Sequence, residues 1–436
     1  MKRYLLIVMA IVICIVVGAP FATGIMAEKQ YHSMIRTNPF EPTLKLESKR
    51  FERGLFSSRA TTFVEVKDTA LRETLVDKLG KDENGKLGIL IHHDLKHGPL
   101  IFTTGQEIGF AIARATHHVE QNDSGRDSAD EDLLQLDTRL HFDGSQTINI
   151  ISRDITTKNE GAVVTLMPLS ASLVTDKSYR TMKGSGDWKG MISTNNRGET
   201  LSLSDARFEL DAGKSGEMWL GTVAFTQSSI ALNSPEKSFQ IDGLKIQSRS
   251  SEHDNRLIDS ATDISLRQVK ATGKVYGPGE LNIAINNIPA TALERLNTIQ
   301  QRVVNASPSD QTFALQAAGI EALGVLPELL SHGIVINMER LYFNTPDGEV
   351  VGRFNLRLPK SNPASLLNIP HLKSIIELDA GFSLPVALIP EATMRNQVQP
   401  LLERGYLKMD GGTLKSEIRM SSGVVTMNDQ VVPLPY

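Results

Sequence analysis

Cysteine is nearly absent from this 436-residue chain, which has only Cys14, so neither a disulfide framework nor a cysteine-rich zinc site can be built within it. Excess positive charge is missing as well. With 46 Lys and Arg against 50 Asp and Glu, a net charge of -4 and a pI near 6.2, the chain carries no electrostatic footprint for nucleic acid. Aromatic residues make up only 6%. Long apolar runs are confined to the N-terminus, which excludes a polytopic membrane protein. Catalytic signatures are lacking too: there is no Gly-x-Ser-x-Gly elbow and no phosphate-binding loop. The glycines of Gly184-Ser185-Gly186-Asp187-Trp188-Lys189-Gly190 are one residue off dinucleotide spacing with no helix behind them, so that segment reads as a hairpin. Hydrophobic residues at 40% are enough for a folded chain. Its length exceeds the roughly 250 to 300 residues of a single core, so two subdomains or one elongated body is expected. A domain somewhat poor in apolar residues once the N-terminus is set aside favours the elongated body.

The N-terminal run follows Lys2 and Arg3. Tyr4 to Ala27 holds no charged residue, and Leu5 to Ala22 no strongly polar side chain. In helical form it covers about 36 Å, enough to cross a hydrocarbon core of ~30 Å. The cations before it and the acids from Glu28 onward put the N-terminus in the cytoplasm. Residues 1–27 therefore read as a cytoplasmic tip and an uncleaved transmembrane anchor. The alternative is a cleaved signal peptide, whose apolar core is shorter, and whose small-x-small site Ile25-Met26-Ala27 and Ala22-Thr23-Gly24 match poorly. Cys14 follows Ile13 inside the run and reads as a small hydrophobe, not a lipid attachment site.

Residues 28–43 read as a polar connector. From Leu44 the pattern turns to short β-like runs, among them Thr61 to Val66, Leu87 to Leu95, Ile148 to Ile151, Leu201 to Leu210, Trp219 to Phe225, Phe239 to Ile246 and Leu281 to Ile288. Asp143-Gly144, Asn195 to Gly198, Asp211-Ala212-Gly213, Asp242-Gly243 and Pro278-Gly279 stand between them as turn signals. Three segments break the rhythm. Thr291 to Asn305 opens on capping-box spacing, Thr291 with Glu294; Ala314 to Leu330 is apolar up to Gly333; a third helix starts near Pro390 and stops at Gly405. The expected fold class is mainly β with a few α-helices: an N-terminal transmembrane helix, then an elongated, twisted antiparallel β-meander, groove-shaped in one form, with helices clustered in the C-terminal third. The expected divisions are 44–290, a β-rich region, and 291–436, a mixed α+β region continuous with its sheet.

Phe51-Glu52-Arg53-Gly54-Leu55-Phe56-Ser57-Ser58-Arg59 resembles the YdgA-like family of bacterial proteins, a domain of unknown function, whose members carry an aromatic and then Arg-Gly-x-Phe-Ser-Ser after their anchor. His97-Gly98-Pro99 matches the family's His-Gly-Pro. The ending, Gly405-Tyr406-Leu407 through Ser422 to Asp429, is similar to its closing hairpin, with Asp429 in place of the usual Gly and Val424 in place of a polar residue. The resemblance implies a single-pass inner-membrane protein of a Gram-negative bacterium with a periplasmic, mostly β domain. It implies no catalytic residue. Arg53, Gly54, Phe56, Ser57, Ser58, His97, Gly98 and Pro99 are thus family-motif positions of unknown role.

Weighed as chemistry, the histidines are weak. His92, His93 and His97 would group for a metal on a helix, but Ile89-Leu90-Ile91 before them and Gly98-Pro99 after them read as strand and turn, where His93 and His97 share a face about 13 Å apart. His97 is expected to bond backbone at the Gly-Pro turn, and His117-His118 to split across faces. Ser234-Pro235-Glu236-Lys237 fits Ser-x-x-Lys only by letter, and the acids of Asp127 to Asp132 read as a solvated loop. Arg53 to Phe56 is a bulged strand pair with Phe56 in the core, or else a membrane-proximal patch with Phe56 exposed; the first is favoured because a strand aromatic is most often buried. No catalytic, cofactor or metal site is expected. The expected function is a non-enzymatic envelope module that binds, scaffolds or dimerises through its periplasmic domain, with the inner membrane as partner and no nucleic acid. The alternatives are a groove for phospholipid or another hydrophobic ligand, by architectural analogy with AsmA-like proteins, and an unrecognised hydrolase.

Overall fold

The computed structural model describes residues 19–38, 44–67, 80–81, 86–98, 101–102, 108–109, 112–119, 134–159, 162–216, 218–234, 237–304, 311–361 and 374–433. The protein is mainly antiparallel β with a large open sheet, as the alternation predicts. Among the described residues no helix is long and apolar enough to cross a membrane; most of the expected anchor, residues 1–18, lies outside them. Two compact units divide the chain: Met1–Ile155 with Met167–Trp188 and Arg302–Thr312, and Thr156–Leu166 with Lys189–Gln301 and Phe313–Tyr436.

In the first unit a helix, α1 (Ala19–Thr37), packs on an antiparallel meander. Its principal strands are β1 (Leu44–Arg53), β2 (Ser57–Val66), β3 (Leu87–His97), β4 (Ala113–Val119), β5 (Leu134–Leu140), β6 (Gln146–Ser152), β7 (Leu169–Thr175) and the first half of β8 (Thr181–Thr194). Each pairs with the next. The helix is explained by one stripe. Pro20, Thr23, Gly24, Ala27 and Tyr31 are buried at three- and four-residue spacing, and Met34 and Ile35 continue the series into a core of Ala60, Leu95, Ile112, Ala113, Ala115 and Leu140. Residues 28–37, expected as a polar connector, are therefore helical: Lys29, His32, Arg36 and Thr37 face outward, while Gln30 turns in to the Tyr179 hydroxyl. Asn38, at φ 32°, ends the helix, and its side-chain amide donates to the Leu44 carbonyl at 2.8 Å.

The second unit is a run of long strands: β9 (Thr200–Ser215), β10 (Met218–Asn233), β11 (Ser238–His253), β12 (Leu257–Leu266) and β13 (Gly279–Pro289). Helices α2 (Ala290–Val304, in this unit up to Gln301), α3 (Gln311–Leu323, in this unit from Phe313) and α4 (Leu326–Ser331) follow. Then come β14 (Val335–Thr345), β15 (Gly348–Arg357), β16 (Glu377–Pro385), β17 (Thr413–Ser421) and β18 (Val424–Met427), in an antiparallel ladder that β13 opens by pairing with β14. Cross-strand register sets Phe208, Phe225, Ile246, Ile264, Leu281 and Leu341 in one row, one residue from each of six neighbouring strands. The row is half-buried, with Phe208 still 40% exposed.

Several turn readings need correction. Asp211 to Gly213 lies inside β9, whose pairing with β10 runs on to Ser215 and Met218. Asp242-Gly243 is where β11 changes partner, from Gln268–Ala271 to β12, with Gly243 at φ 68°. Gly184 to Gly190 is a stretch of β8, not a hairpin: residues 182–188 pair with β7 and 191–194 with Val163 to Leu166, and Gly190 sits at the change. A Cβ there would lie 1.9 Å from the Leu203 carbonyl oxygen. The Thr291–Glu294 capping box is not formed. Thr291 donates instead to Glu328, while Glu294 pairs with Arg256 at 3.0 Å. The helix expected over 314–330 is two, broken at Gly324 so that Val325 can be buried against Ala292 and Ile299. The third runs as Glu391–Glu403 with a π-helical turn at Met394–Val398, and Gly405 at φ 72° follows its end.

Candidate binding site

The family-motif residues converge where α1 begins. Ser58 on β2 and His97 at the end of β3 are buried, at 2% and 4% exposure. His97 Nδ1–H donates to the Pro20 carbonyl of α1 at 3.2 Å, which leaves Nε2 to accept from the Ser58 hydroxyl at 2.9 Å. Burial holds the imidazole below its ordinary pKa and therefore neutral, outweighing the Pro20 hydrogen bond that acts the other way. Gly24 faces the same ring so closely that a Cβ would lie 2.8 Å from His97 Cε1. Arg53 closes the seat from the β1–β2 turn: Nη1 donates to Glu28 at 2.7 Å, and the guanidinium lies over the Phe21 ring, 5.4 Å from its centroid. Gly54 N–H donates to the Ser57 carbonyl at 2.8 Å, and Gly98 N–H to the Ile112 carbonyl at 3.2 Å. Pro99 lies outside the described residues. His97 thus bonds the helix and not the Gly-Pro turn. Phe56 is not core but 52% exposed, because its backbone, not its ring, is engaged: the Phe56 carbonyl accepts from His97 N–H at 3.0 Å.

Beside this seat α1 roofs a cavity of about 100 Å³. Ala27, Met34, Leu95, Ala115, Leu140 and Ile148 give it an apolar wall. One end is polar: His93 and His117, directly opposed on β3 and β4, meet through their Nδ1 atoms. His93 Nε2 is 2.8 Å from the Thr62 hydroxyl, itself 2.9 Å from the Tyr31 hydroxyl, and His117 Nε2 is 2.8 Å from the Thr138 hydroxyl. Across the cavity Gln146 donates to the buried Tyr179 hydroxyl at 2.6 Å, and burial raises the pKa of that phenol. Burial first, then the neighbouring His117, hold His93 down at about 3. Both imidazoles share a single N–H···N bond, so polarity runs one way along the chain from Thr62 to Thr138. Single-strand spacing predicts His93 and His97 on one face and His92 on the other; that shared face is the buried one, and the spacing does not predict the cross-strand meeting with His117. The signal that was there is the pair of His-His steps, 92–93 and 117–118, on neighbouring strands.

Chemically the arrangement is closed. The Ser58–His97 pair has the contact of a nucleophile and its base, yet a backbone carbonyl takes the orienting position, both residues are buried and Gly24 packs against the ring. Among the described residues no group of three or more His, Cys, Asp or Glu side chains could hold a metal. Asp127 to Asp132 and Pro235-Glu236 lie outside them.

Compared with known proteins, the chain matches over residues 1–435 the family described as a bacterial protein of unknown function (DUF945). It is also 21% identical, over 452 aligned residues, to Protein YdgA of Escherichia coli (strain K12), covering 93% of this chain and 88% of that one.

Proposed function

The chain belongs to this family of bacterial proteins of unknown function, and from that premise we propose that it is a non-enzymatic, single-pass inner-membrane protein whose periplasmic domain binds, scaffolds or dimerises in the envelope. One observation carries the reading: α1 takes in the end of the apolar run, residues 19–27, and is itself core, with Ala27 and Tyr31 buried against β2 to β5. A membrane segment upstream would therefore be coupled to the sheet, not leashed to it. The closed Ser58–His97 contact supports a structural rather than a catalytic use of the motif.

A second reading gives the domain a phospholipid or similar ligand, and the half-exposed row from Phe208 to Leu341 favours it. The cavity under α1 does not, since about 100 Å³ falls short of the roughly 300–1,000 Å³ of a typical ligand pocket. Mass spectrometry of the full chain purified in a mild detergent separates the two. Stoichiometric phospholipid that is lost in Phe225→Asp establishes the second reading; trace lipid at the same level in both proteins leaves the first.

A further inference from the structure

The β1–β2 turn presents two large apolar side chains to solvent, Leu55 at 41% and Phe56 at 52% exposure, and α1 presents Phe21 at 49%. Their height along α1 is fixed by contacts already described. The Phe56 carbonyl accepts from His97 N–H, the His97 ring donates to Pro20, and Arg53 reaches Phe21. The turn is therefore held level with Pro20 to Gly24.

That level matters because of the chain that precedes it. Counting from Tyr4 at 1.5 Å per residue, a hydrocarbon core of ~30 Å ends close to residue 24. We propose that Leu55 and Phe56 insert into the headgroup–acyl boundary of the bilayer beside the anchor, making the β1–β2 turn a second membrane contact; this rests on the anchored reading above. The occupant is lipid because the apolar run of residues 4–27 takes in Phe21, the exposed helix side chain level with this patch. Arg59 follows the turn with its side chain 81% exposed and 3.5 Å from Asp94, a long cationic side chain suited to reach phosphates while the apolar tip goes deeper. Glycine at 54 lets the turn close tightly: a Cβ there would lie 2.6 Å from the Ser57 carbonyl oxygen.

The test uses the full chain with Cys14→Ser, reconstituted in phosphatidylethanolamine and phosphatidylglycerol vesicles, with a nitroxide at Leu55→Cys, at Phe56→Cys, or at Lys67→Cys beyond the opposite end of β2. Relaxation by oxygen, relative to a nickel chelate, is expected several-fold higher at 55 and 56 than at 67. Vesicle flotation of the same samples separates the failures. If the chain floats but 55 and 56 relax like 67, the inserted turn is overturned and the anchor stands; if the chain does not float, both fall. Dipolar broadening between labels at 56 without an oxygen preference would assign the patch to a second copy and equally overturn lipid insertion.

Discussion

Replacing Gly24 with alanine puts the seat of α1 to a quantitative test. In an exposed helix position this change stabilises by about 1 kcal/mol. Here the new methyl would stand 2.8 Å from His97 Cε1 and 3.0 Å from Nδ1, on a ring held by Pro20 and Ser58. If the ring stays, overpacking costs ~1–3 kcal/mol; if it swings away, two hydrogen bonds of ~0.5–1.5 kcal/mol each are lost. At the middle of either range the cost, about 2 kcal/mol, outweighs the propensity gain, for a net loss of about 1 kcal/mol. Hydrogen–deuterium exchange reads this directly as roughly fivefold faster exchange of the α1 amides, at tenfold per ~1.4 kcal/mol. Gly319→Ala in α3, where nothing lies within 4 Å of the added methyl, is the control and should slow exchange locally. Unchanged or slower exchange of α1 in Gly24→Ala would refute the close contact.

Other residues give further outcomes. His97→Ala orphans a hydroxyl with 2% exposure and a helix carbonyl, so denaturant unfolding should show a loss of about 2–4 kcal/mol; Ser58→Ala should cost about 1, and the double mutant less than the sum. Acid should weaken the first unit through His93. The unfolded chain binds this proton near pH 6.5 and the folded one only near 3, so stability is lost as pH falls through that window, by up to ~1.4 kcal/mol per pH unit. His97, also shifted down, adds to the same trend. His93→Gln should flatten the pH dependence of the unfolding midpoint, and an unchanged slope would show that His93 is not its source. Gly190→Ala, with a Cβ 1.9 Å from Leu203 O at φ 117°, should prevent folding of the second unit, whereas Gly198→Ala at an open turn, φ 78°, should cost only ~1 kcal/mol, as judged by circular dichroism and melting.

Most of the β architecture was legible because period-two alternation survives in strands with one apolar face, as in β9 to β11. The partner changes at Gly190 and Gly243 were not, since Asp-Gly and Gly-x-Gly look alike whether a chain turns or a long strand swaps neighbours. Nor was α1 beyond residue 27. Its buried stripe from Gly24 to Tyr31 relies on small residues, and its outer face is charged, so averaged over residues 28–43 it reads as polar. The motif residues were visible in sequence, but their joint role was not. Ser58, His97 and Pro20 meet only through two strand registers and a helix docked across them.

The most direct measurement is membrane fractionation of the full chain produced in a Gram-negative bacterium: alkaline-carbonate flotation combined with protease digestion of spheroplasts. Anchoring through residues 1–27 predicts a full-length protein that floats with the inner membrane after carbonate and is digested from the periplasmic side only once the outer membrane is opened. Release into the soluble fraction at a shortened mass, or protection from protease in spheroplasts, would contradict it.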